Sequence, residues 1–157
     1  MAGQLQSIAA VNEMAALLIP VNGRQLVLPN VTVAEIISYT PPVEVKKKPA
    51  WFLGTIKWRS IDIPVVSFEM INKEKFTNQS NERRLIILNS LVDENTLPFC
   101  AFVAEGMPRL MRVMVNELAN DEAIKPGPAE HSRVLVSGEV AAIPNVDFIQ
   151  SEILKNL

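Results

Sequence analysis

The side chains that most often carry out catalysis or bind metals are scarce in this sequence. Cys100 is the only cysteine and His131 the only histidine among 157 residues. A zinc site of several Cys and His ligands therefore cannot form within one chain, and a Ser-His-Asp or Cys-His device would have to use His131. A hydrolase or ligand-binding barrel that uses His131 stays open as one hypothesis. No phosphate-binding glycine loop, G-x-S-x-G or H-E-x-x-H motif is present, so we predict no enzyme activity, cofactor or metal.

Glu35 and Arg59 form the charged pair with the best-defined surroundings. Arg59 ends a segment in which Ile56 and Trp58 share one strand face, and a guanidinium at that position could clamp a carboxylate through two N–H groups. Glu35 could be that carboxylate. Alternatively, Glu35 is only the third residue of a capping box at the start of a helix, and Arg59 is only a solvated residue at the end of a strand. An exposed ion pair adds little stability, so its better use would be to orient an interface.

Basic residues and aromatic rings also lie close together in the sequence. Lys46–Lys48 are followed by Trp51, Phe52 and Trp58, an arrangement that could bind single-stranded nucleic acid on a small β-barrel. The chain nevertheless has 17 acidic and 15 basic residues, a net charge of −2 that gives no general electrostatic attraction for nucleic acid. We therefore expect no nucleic acid partner and keep this binding mode as the alternative function.

Turn and periodicity patterns predict the elements that position these residues in the first half of the chain. Asn22-Gly23 between two apolar runs indicates a β-hairpin. The capping-box pattern from Thr32 to Glu35 predicts a short helix after that hairpin, which ends before the prolines at 41 and 42. The predicted strands, with a bulge or sheet edge near Pro64, are Ala15–Pro20, Arg24–Leu28, Leu53–Arg59 and Ile61–Met70.

Short apolar runs predict further strands in the second half, where Leu110–Val115 is ambiguous with a helix. Asp147 is expected to cap a C-terminal helix whose apolar stripe comprises Ile149, Ile153, Leu154 and Leu157. The remaining predicted strands are Leu85–Leu88, Phe99–Ala104, Val134–Val136 and Val140–Ile143. Eleven prolines and these short strands favour a mainly β protein built as small barrels or a sandwich.

A polar stretch near residues 73–84 is the best candidate for an internal boundary. Residues 1–80 hold 8 basic and 6 acidic residues, whereas residues 81–157 hold 7 basic and 11 acidic residues. We predict an N-terminal tail, 1–13, and a single domain, 14–157, of two β-barrel subdomains with the chain boundary near 73–84. The longest apolar run, Met14–Ile19, is far shorter than the ~20 residues that a membrane helix needs, and no basic residue precedes Arg24, so a cytoplasmic location is predicted.

Three segments resemble the CheW family of chemotaxis coupling proteins: VAEI at 33–36, WFLGTIKWRS at 51–60 and IDIPVVSF at 61–68. The family pattern runs V-x-E-I, then a stretch like G-x-I-x-x-R-G, then a strand ending in I-P-V-I-D-L. The positions that match in order and spacing are Gly54, Ile56, Arg59, Pro64 and Val65. The resemblance covers about residues 14–157 and is most specific over 51–68.

The resemblance implies both a fold and a function. The fold would be two small SH3-like five-stranded barrels packed together, with a short helix after the first hairpin and a C-terminal helix. The protein would be a non-enzymatic scaffold: one surface binds the regulatory domain of a CheA-type histidine kinase, and a groove between the barrels takes the helical cytoplasmic tip of a methyl-accepting chemoreceptor. The family's Glu and Arg fall on Glu35 and Arg59. The residues expected to contact partners are Glu35, Trp51, Phe52, Ile56, Trp58, Arg59, Met107 and Met111.

Some positions depart from the family pattern. Ser60 replaces the glycine that follows the arginine in the family pattern. Glycine adopts positive φ without strain, whereas serine does not. Trp58 replaces the usual leucine before the arginine, and Ser67 replaces the aspartate of the later strand. These departures make the chain similar to the divergent, ChpC-like members found in chemosensory systems that control type IV pili and twitching motility.

Overall fold

The computed structural model describes residues 13–75, 80–114, 116 and 118–157. The predicted N-terminal tail lies outside this range, except for Glu13, which begins the first strand. Within the described residues the strands are β1 (Glu13–Val21), β2 (Arg24–Pro29), β3 (Val33–Ser38), β4 (Phe52–Trp58), β5 (Ile61–Val66), β6 (Arg84–Asn89), β7 (Phe99–Ala104), β8 (Arg109–Met114), β9 (Ala119–Asn120), β10 (Glu130–Val136) and β11 (Glu139–Pro144). The helices are α1 (Phe68–Ile71) and α2 (Val146–Lys155).

The strands form two sheets that curve into two small barrels. The first barrel has the strand order β8-β1-β2-β11-β10-β9, and the second has the order β3-β6-β7-β5-β4. Strands β2 and β11, and strands β5 and β7, pair in parallel, whereas the other pairs are antiparallel. Because β5 and β6 both belong to the second barrel, the segment at 73–84 does not separate the barrels. The first barrel instead combines the two ends of the described chain, and the second uses its middle.

Three groups of buried apolar side chains hold this arrangement together. Ala16 and Leu18 lie in the core of the first barrel, and Ile63 lies in the core of the second. The largest group lies between the barrels and contains Ile19 of β1 and Ile153 of α2. Neighbouring residues such as Leu18 and Ile19 serve different cores because successive side chains of a strand point to opposite faces. The barrels therefore share the largest of the three groups and pack against each other through its buried side chains.

The predicted helix after the first hairpin is wrong. Asn30–Thr32 form a single 3-10 turn, and the chain then enters β3. Glu35 lies in β3 opposite Ile87 of β6. The capping-box pattern is local, whereas pairing with β6 satisfies the backbone of the whole segment and suits β-branched residues such as Val33, which lose side-chain freedom in a helix.

The predicted strand Ile61–Met70 is also too long. β5 ends at Val66, and Ser67 then caps α1 by accepting a hydrogen bond from the Met70 backbone N–H. Val65 and Val66 are both buried because β5 faces its own barrel core on one side and the shared core on the other. The bulge expected near Pro64 lies in the partner strand, where the pairing shifts between Phe52 and Gly54.

The hairpin around Asn22-Gly23 and the C-terminal helix are confirmed. The helix cap is Asn145 rather than Asp147, since the Asn145 side chain accepts a hydrogen bond from the Phe148 backbone N–H. Leu157 is exposed and so does not belong to the apolar stripe. The ambiguous segment at 110–115 is a strand over its described residues, within β8.

Candidate functional site

Glu35, Trp58 and Arg59 meet at one end of the second barrel, and we call these three residues the Glu35 cluster. Glu35 lies on β3, Trp58 ends β4, and Arg59 begins the turn to β5. Trp58 Nε1 donates a hydrogen bond to Glu35 Oε2 at 2.5 Å, and Arg59 Nη2 lies 3.9 Å from the same oxygen. The structure thus brings together the glutamate and arginine that the motifs single out.

The indole of Trp58 contacts both charged groups of the cluster. Its ring is only 6% exposed and packs edge-on against Phe99, with 4.7 Å between the ring centroids. The Arg59 guanidinium carbon lies 4.4 Å from the centroid of the Trp58 ring, a cation–π geometry. The side chains of Arg59 and Glu35 are 67% and 42% exposed. The cluster therefore presents an oriented cation and anion to solvent on a buried support.

The turn that carries Arg59 has an unusual backbone. Arg59 and Ser60 have φ values of 49° and 68° between the paired residues Trp58 and Ile61. Positive φ at both central residues is the geometry of the type I′ turn, which matches the twist of a two-residue hairpin. Ser60 therefore adopts the left-handed conformation that a glycine would adopt without strain.

The motif glycine Gly54 has a structural explanation. Its φ is 143°, and a Cβ atom built on it would lie 2.2 Å from the Val43 carbonyl oxygen. Val43 exchanges two backbone hydrogen bonds with Thr55, at 2.8 and 2.9 Å. A glycine is needed because the segment between β3 and β4 lies directly against this strand.

The other residues predicted from the motif region support the fold rather than form a surface. Phe52 is buried in the core that the two barrels share, and Ile56 is buried in the core of the second barrel. Trp51 is half-buried and packs against the shared core. Lys48 donates a hydrogen bond to the Asn156 carbonyl oxygen at the end of α2. The lysine and aromatic residues therefore do not build the exposed stacking platform that the nucleic acid alternative requires, because the rings are used for packing.

The methionines lie elsewhere. Met111 is on β8 of the first barrel and packs against its core, and Met107 precedes that strand and is 61% exposed. The Glu35 cluster belongs to the second barrel. Met111 therefore belongs to a different barrel from Glu35 and Arg59.

An apolar depression of about 370 Å³ lies between elements of the two barrels. Its walls include Leu28 of β2, Ile143 of β11 and Val146 of α2, together with Leu91 from the connection between β6 and β7. His131 also borders it, with its ring Nδ1 3.4 Å from Ser132 Oγ. Within the described part of the chain, no group of three or more Cys, His, Asp or Glu residues is placed to hold a metal ion.

Cys100 is a core residue. It is buried next to Gln150, and this burial raises the pKa of the Cys100 thiol to about 12. A thiol with such a pKa is not a nucleophile at neutral pH. Among the described helices, none is long and apolar enough to cross a membrane.

Sequence reasoning missed a buried polar network where the barrels meet. Arg24 of β2 donates through Nε to Glu130 at 3.0 Å and through both Nη atoms to Glu74, at 2.8 and 2.6 Å. Asn72 bridges the same two regions, because its amide binds both Glu74 and the Ala129 backbone N–H. Arg133 donates to Glu130 at 2.7 Å. We call Arg24, Asn72, Glu74, Glu130 and Arg133 the Arg24 network.

The carboxyls at this junction have shifted pKa values of opposite sign. Burial by itself would raise the pKa of Glu130, but hydrogen bonds from the Gly127 N–H and Arg133, with the charges of Arg24 and Arg133, hold it below its ordinary value. Burial raises the pKa of Glu69, and its hydrogen bond from the Asn22 N–H only partly offsets this. The surroundings of Glu130 thus favour its ionised form, whereas burial disfavours the ionised form of Glu69.

The comparisons with known proteins agree with this geometry. The chain matches the family described as "CheW-like domain" over residues 15–153. It is similar to the crystal structure of the scaffolding protein TtCheW from Thermoanaerobacter tengcongensis, with a TM-score of 0.70 and 13% sequence identity, covering 83% of this chain and 88% of that chain. That likeness confirms the predicted mainly β, two-barrel fold. No match was found among curated proteins. Because the family match spans most of its length, the chain belongs to the CheW-like domain family.

Proposed function

We propose that this protein is an adaptor that couples chemoreceptors to a CheA-type histidine kinase. The Glu35 cluster is the observation that carries the proposal. An exposed ion pair contributes little to stability, yet here both charged groups are oriented by one buried indole. Charges held in place before a partner arrives lose less freedom on binding, which favours affinity and fixes orientation.

The regulatory domain of the kinase is the partner proposed for the Glu35 cluster. Arg59 offers a guanidinium fork that fits a carboxylate of the partner, and Glu35 offers a carboxylate of its own. Ile61, which follows the turn, is partly exposed and adds apolar surface beside the charged groups. This combination of a fixed charge pair and an apolar neighbour suits a protein interface.

The helical tip of a chemoreceptor is the partner proposed for the depression between the barrels. Its apolar walls come from β2, β11 and α2, with Leu91 from the β6–β7 connection, and an amphipathic helix could dock there through its apolar face. Because the barrels share one group of buried side chains, the depression and the Glu35 cluster belong to one packed unit. A chain that binds both partners at once holds them next to each other and raises their effective concentration, which is the coupling that a scaffold supplies.

The kinase interface is tested by reversing the charge of Arg59. We expect Arg59→Glu to weaken binding of the purified kinase regulatory domain by about tenfold or more, measured by titration calorimetry. The matched control is Arg109→Glu, because Arg109 also forms an exposed pair, with Glu139 at 3.0 Å, but lies on the first barrel. Equal affinity of Arg59→Glu and the original protein, or equal loss in both variants, would contradict the proposed surface.

The receptor interface is tested separately. Leu91 is exposed and lines the depression, so Leu91→Asp should abolish binding of a soluble receptor-tip coiled coil without unfolding the protein. Val43→Asp is the control, since Val43 is an exposed apolar residue that does not line the depression. Retained receptor binding by Leu91→Asp would remove this surface from the proposal.

We further propose that the chemosensory system served by this protein controls type IV pili and twitching motility. The support is the set of departures from the family pattern at Trp58, Ser60 and Ser67, which make the chain similar to the divergent members of such systems. A strain that lacks the protein should lose twitching on a surface and keep flagellar swimming. Loss of swimming with intact twitching would instead assign it to a flagellar system.

A further inference from the structure

A second cavity lies at the other end of β3 and β4 from the Glu35 cluster. It has a volume of about 300 Å³, and its walls are mainly apolar, with Pro42, Leu53 and Met70 among them. Three residues with polar side-chain groups also line it, namely Tyr39, Ser67 and Arg83. A small apolar cavity with a few convergent polar groups is the usual form of a small-molecule site.

Arg83 is held in a fixed orientation at this cavity. Its guanidinium carbon lies 3.9 Å from the centroid of the Tyr39 ring, and its Nε donates to the Ser80 carbonyl oxygen at 3.1 Å. Within the described residues its Nη1 and Nη2 atoms make no hydrogen bond. The two nitrogens that form the outer edge of a guanidinium are the ones that bind a carboxylate in parallel hydrogen bonds.

Ser67 adds a second donor. Its side chain is buried, and Oγ accepts a hydrogen bond from the Met70 backbone N–H at 3.2 Å. A hydroxyl that accepts through oxygen still has its own hydrogen to donate. The cavity therefore offers donors from Arg83 and Ser67 and no carboxylate of its own among its lining residues.

We propose that this cavity binds a small carboxylate with an apolar body. The carboxylate would lie against the outer edge of Arg83, within reach of Ser67, and the apolar body would contact Leu53 and Met70. The volume is at the lower end of the range of small-molecule sites, which fits a small acid rather than a protein segment. This site does not depend on the coupling role and can be tested apart from it.

Benzoate and its uncharged analogue benzamide are the probes. Amide chemical shifts of the full ¹⁵N-labelled chain are followed while each compound is added up to a high millimolar concentration. We expect benzoate to shift the amides of Tyr39, Ser67, Met70 and Arg83 in a saturable way. Benzamide, which cannot form the charge-assisted pair with Arg83, should bind about tenfold more weakly. Equal binding of both compounds, or no saturable shift with benzoate, would overturn the proposal.

Variants of the neighbouring arginines provide the matched controls. Arg83→Gln should weaken benzoate binding by about tenfold, because a neutral amide replaces the guanidinium fork. Arg84→Gln should leave it unchanged, since Arg84 bonds to the carbonyl oxygens of Glu82 and Arg83 and does not line the cavity. Tyr39→Phe keeps the ring under Arg83 and should also bind normally, whereas Tyr39→Leu should bind more weakly. Normal binding by Arg83→Gln would refute the site.

Discussion

This protein has two sites in which an arginine pairs with a glutamate, one exposed and one buried. In the Glu35 cluster, the side chains of Arg59 and Glu35 are 67% and 42% exposed, and their charged atoms lie 3.9 Å apart. In the Arg24 network, the side chains of Arg24 and Glu130 are 4% and 0% exposed, and their charged atoms lie 3.0 Å apart. The buried arginine is bonded to two carboxylates and to the Asn22 carbonyl oxygen, whereas the exposed one rests on an indole.

This difference in exposure assigns a structural role to the Arg24 network and a surface role to the Glu35 cluster. A buried charge must be fully paired, because removing its partner leaves a charge out of water with no compensation. The Arg24 network therefore joins β2, the segment after α1 and the segment before β10 in a way the fold depends on. The charges of the Glu35 cluster can be altered without this penalty, so the cluster is available as a binding surface.

The largest expected effect is the removal of Glu130. Glu130→Ala leaves Arg24 and Arg133 without a shared carboxylate and should lower the free energy of unfolding by roughly 3–5 kcal/mol, measured by urea denaturation. Glu139→Ala removes the glutamate of the exposed Arg109 pair and should cost less than about 1 kcal/mol. A similar decrease in the free energy of unfolding in both variants would contradict the different roles assigned to the buried and exposed sites.

The pH dependence of stability should show opposite contributions from Glu130 and Glu69. Because the pKa of Glu130 is lowered in the folded state, its contribution is present above the unfolded pKa of about 4.3 and is lost as the pH falls through the folded pKa. The pKa of Glu69 is raised, so its ionisation removes stability as the pH rises through its folded pKa.

Glu69→Gln tests this sign. The variant cannot ionise, so it should be more stable than the original protein at pH 7, and this advantage should shrink as the pH falls toward 4. Thermal unfolding at a series of pH values between 4 and 7.5 measures the difference. A stability difference that is the same at every pH would show that the charge of Glu69 is not the cause.

A smaller effect is expected at the turn that carries Arg59. Ser60 has φ 68°, where a non-glycine residue is strained, so Ser60→Gly should raise the free energy of unfolding by up to about 1 kcal/mol. Gly23→Ser is the reverse experiment, because Gly23 has φ 78° in the first hairpin and faces open space, and it should lower stability by a similar amount. A loss of stability in Ser60→Gly would mean that the serine side chain has a role of its own.

The smallest expected effect on stability comes from Arg59 itself. Arg59→Ala should change the free energy of unfolding by less than about 1 kcal/mol, because the pair with Glu35 is exposed. The same truncation at Arg24 should cost several times more. Calorimetric melting of both variants would compare the two arginines directly, and an equally large loss for Arg59→Ala would make the Glu35 cluster a structural element instead of a surface.

Some of the candidate site could be predicted from the sequence. The alternation around Ile56 and Trp58 places both side chains inward, so that Arg59 falls at the exposed turn, and the structure has this arrangement. The capping-box pattern at Thr32 failed because a helix start and a strand paired with β6 compete for the same residues, and only long-range pairing favours the strand. Trp51 and Phe52 looked available for stacking because a run of aromatic residues does not reveal which core it will enter.

By itself the sequence determined most of the short β-strands, the Asn22-Gly23 hairpin, the motif positions and the scarcity of cysteine and histidine, since these depend on neighbouring residues and on composition. Only the tertiary structure decided that the two ends of the chain build one barrel and that the charge contrast between the chain's halves does not follow the barrels. It also brought Arg24 to Glu74 and Glu130, which are 50 and 106 residues away. Such pairs depend on the order of the strands in the sheets, and that order cannot be read from the local spacing of residues along the chain.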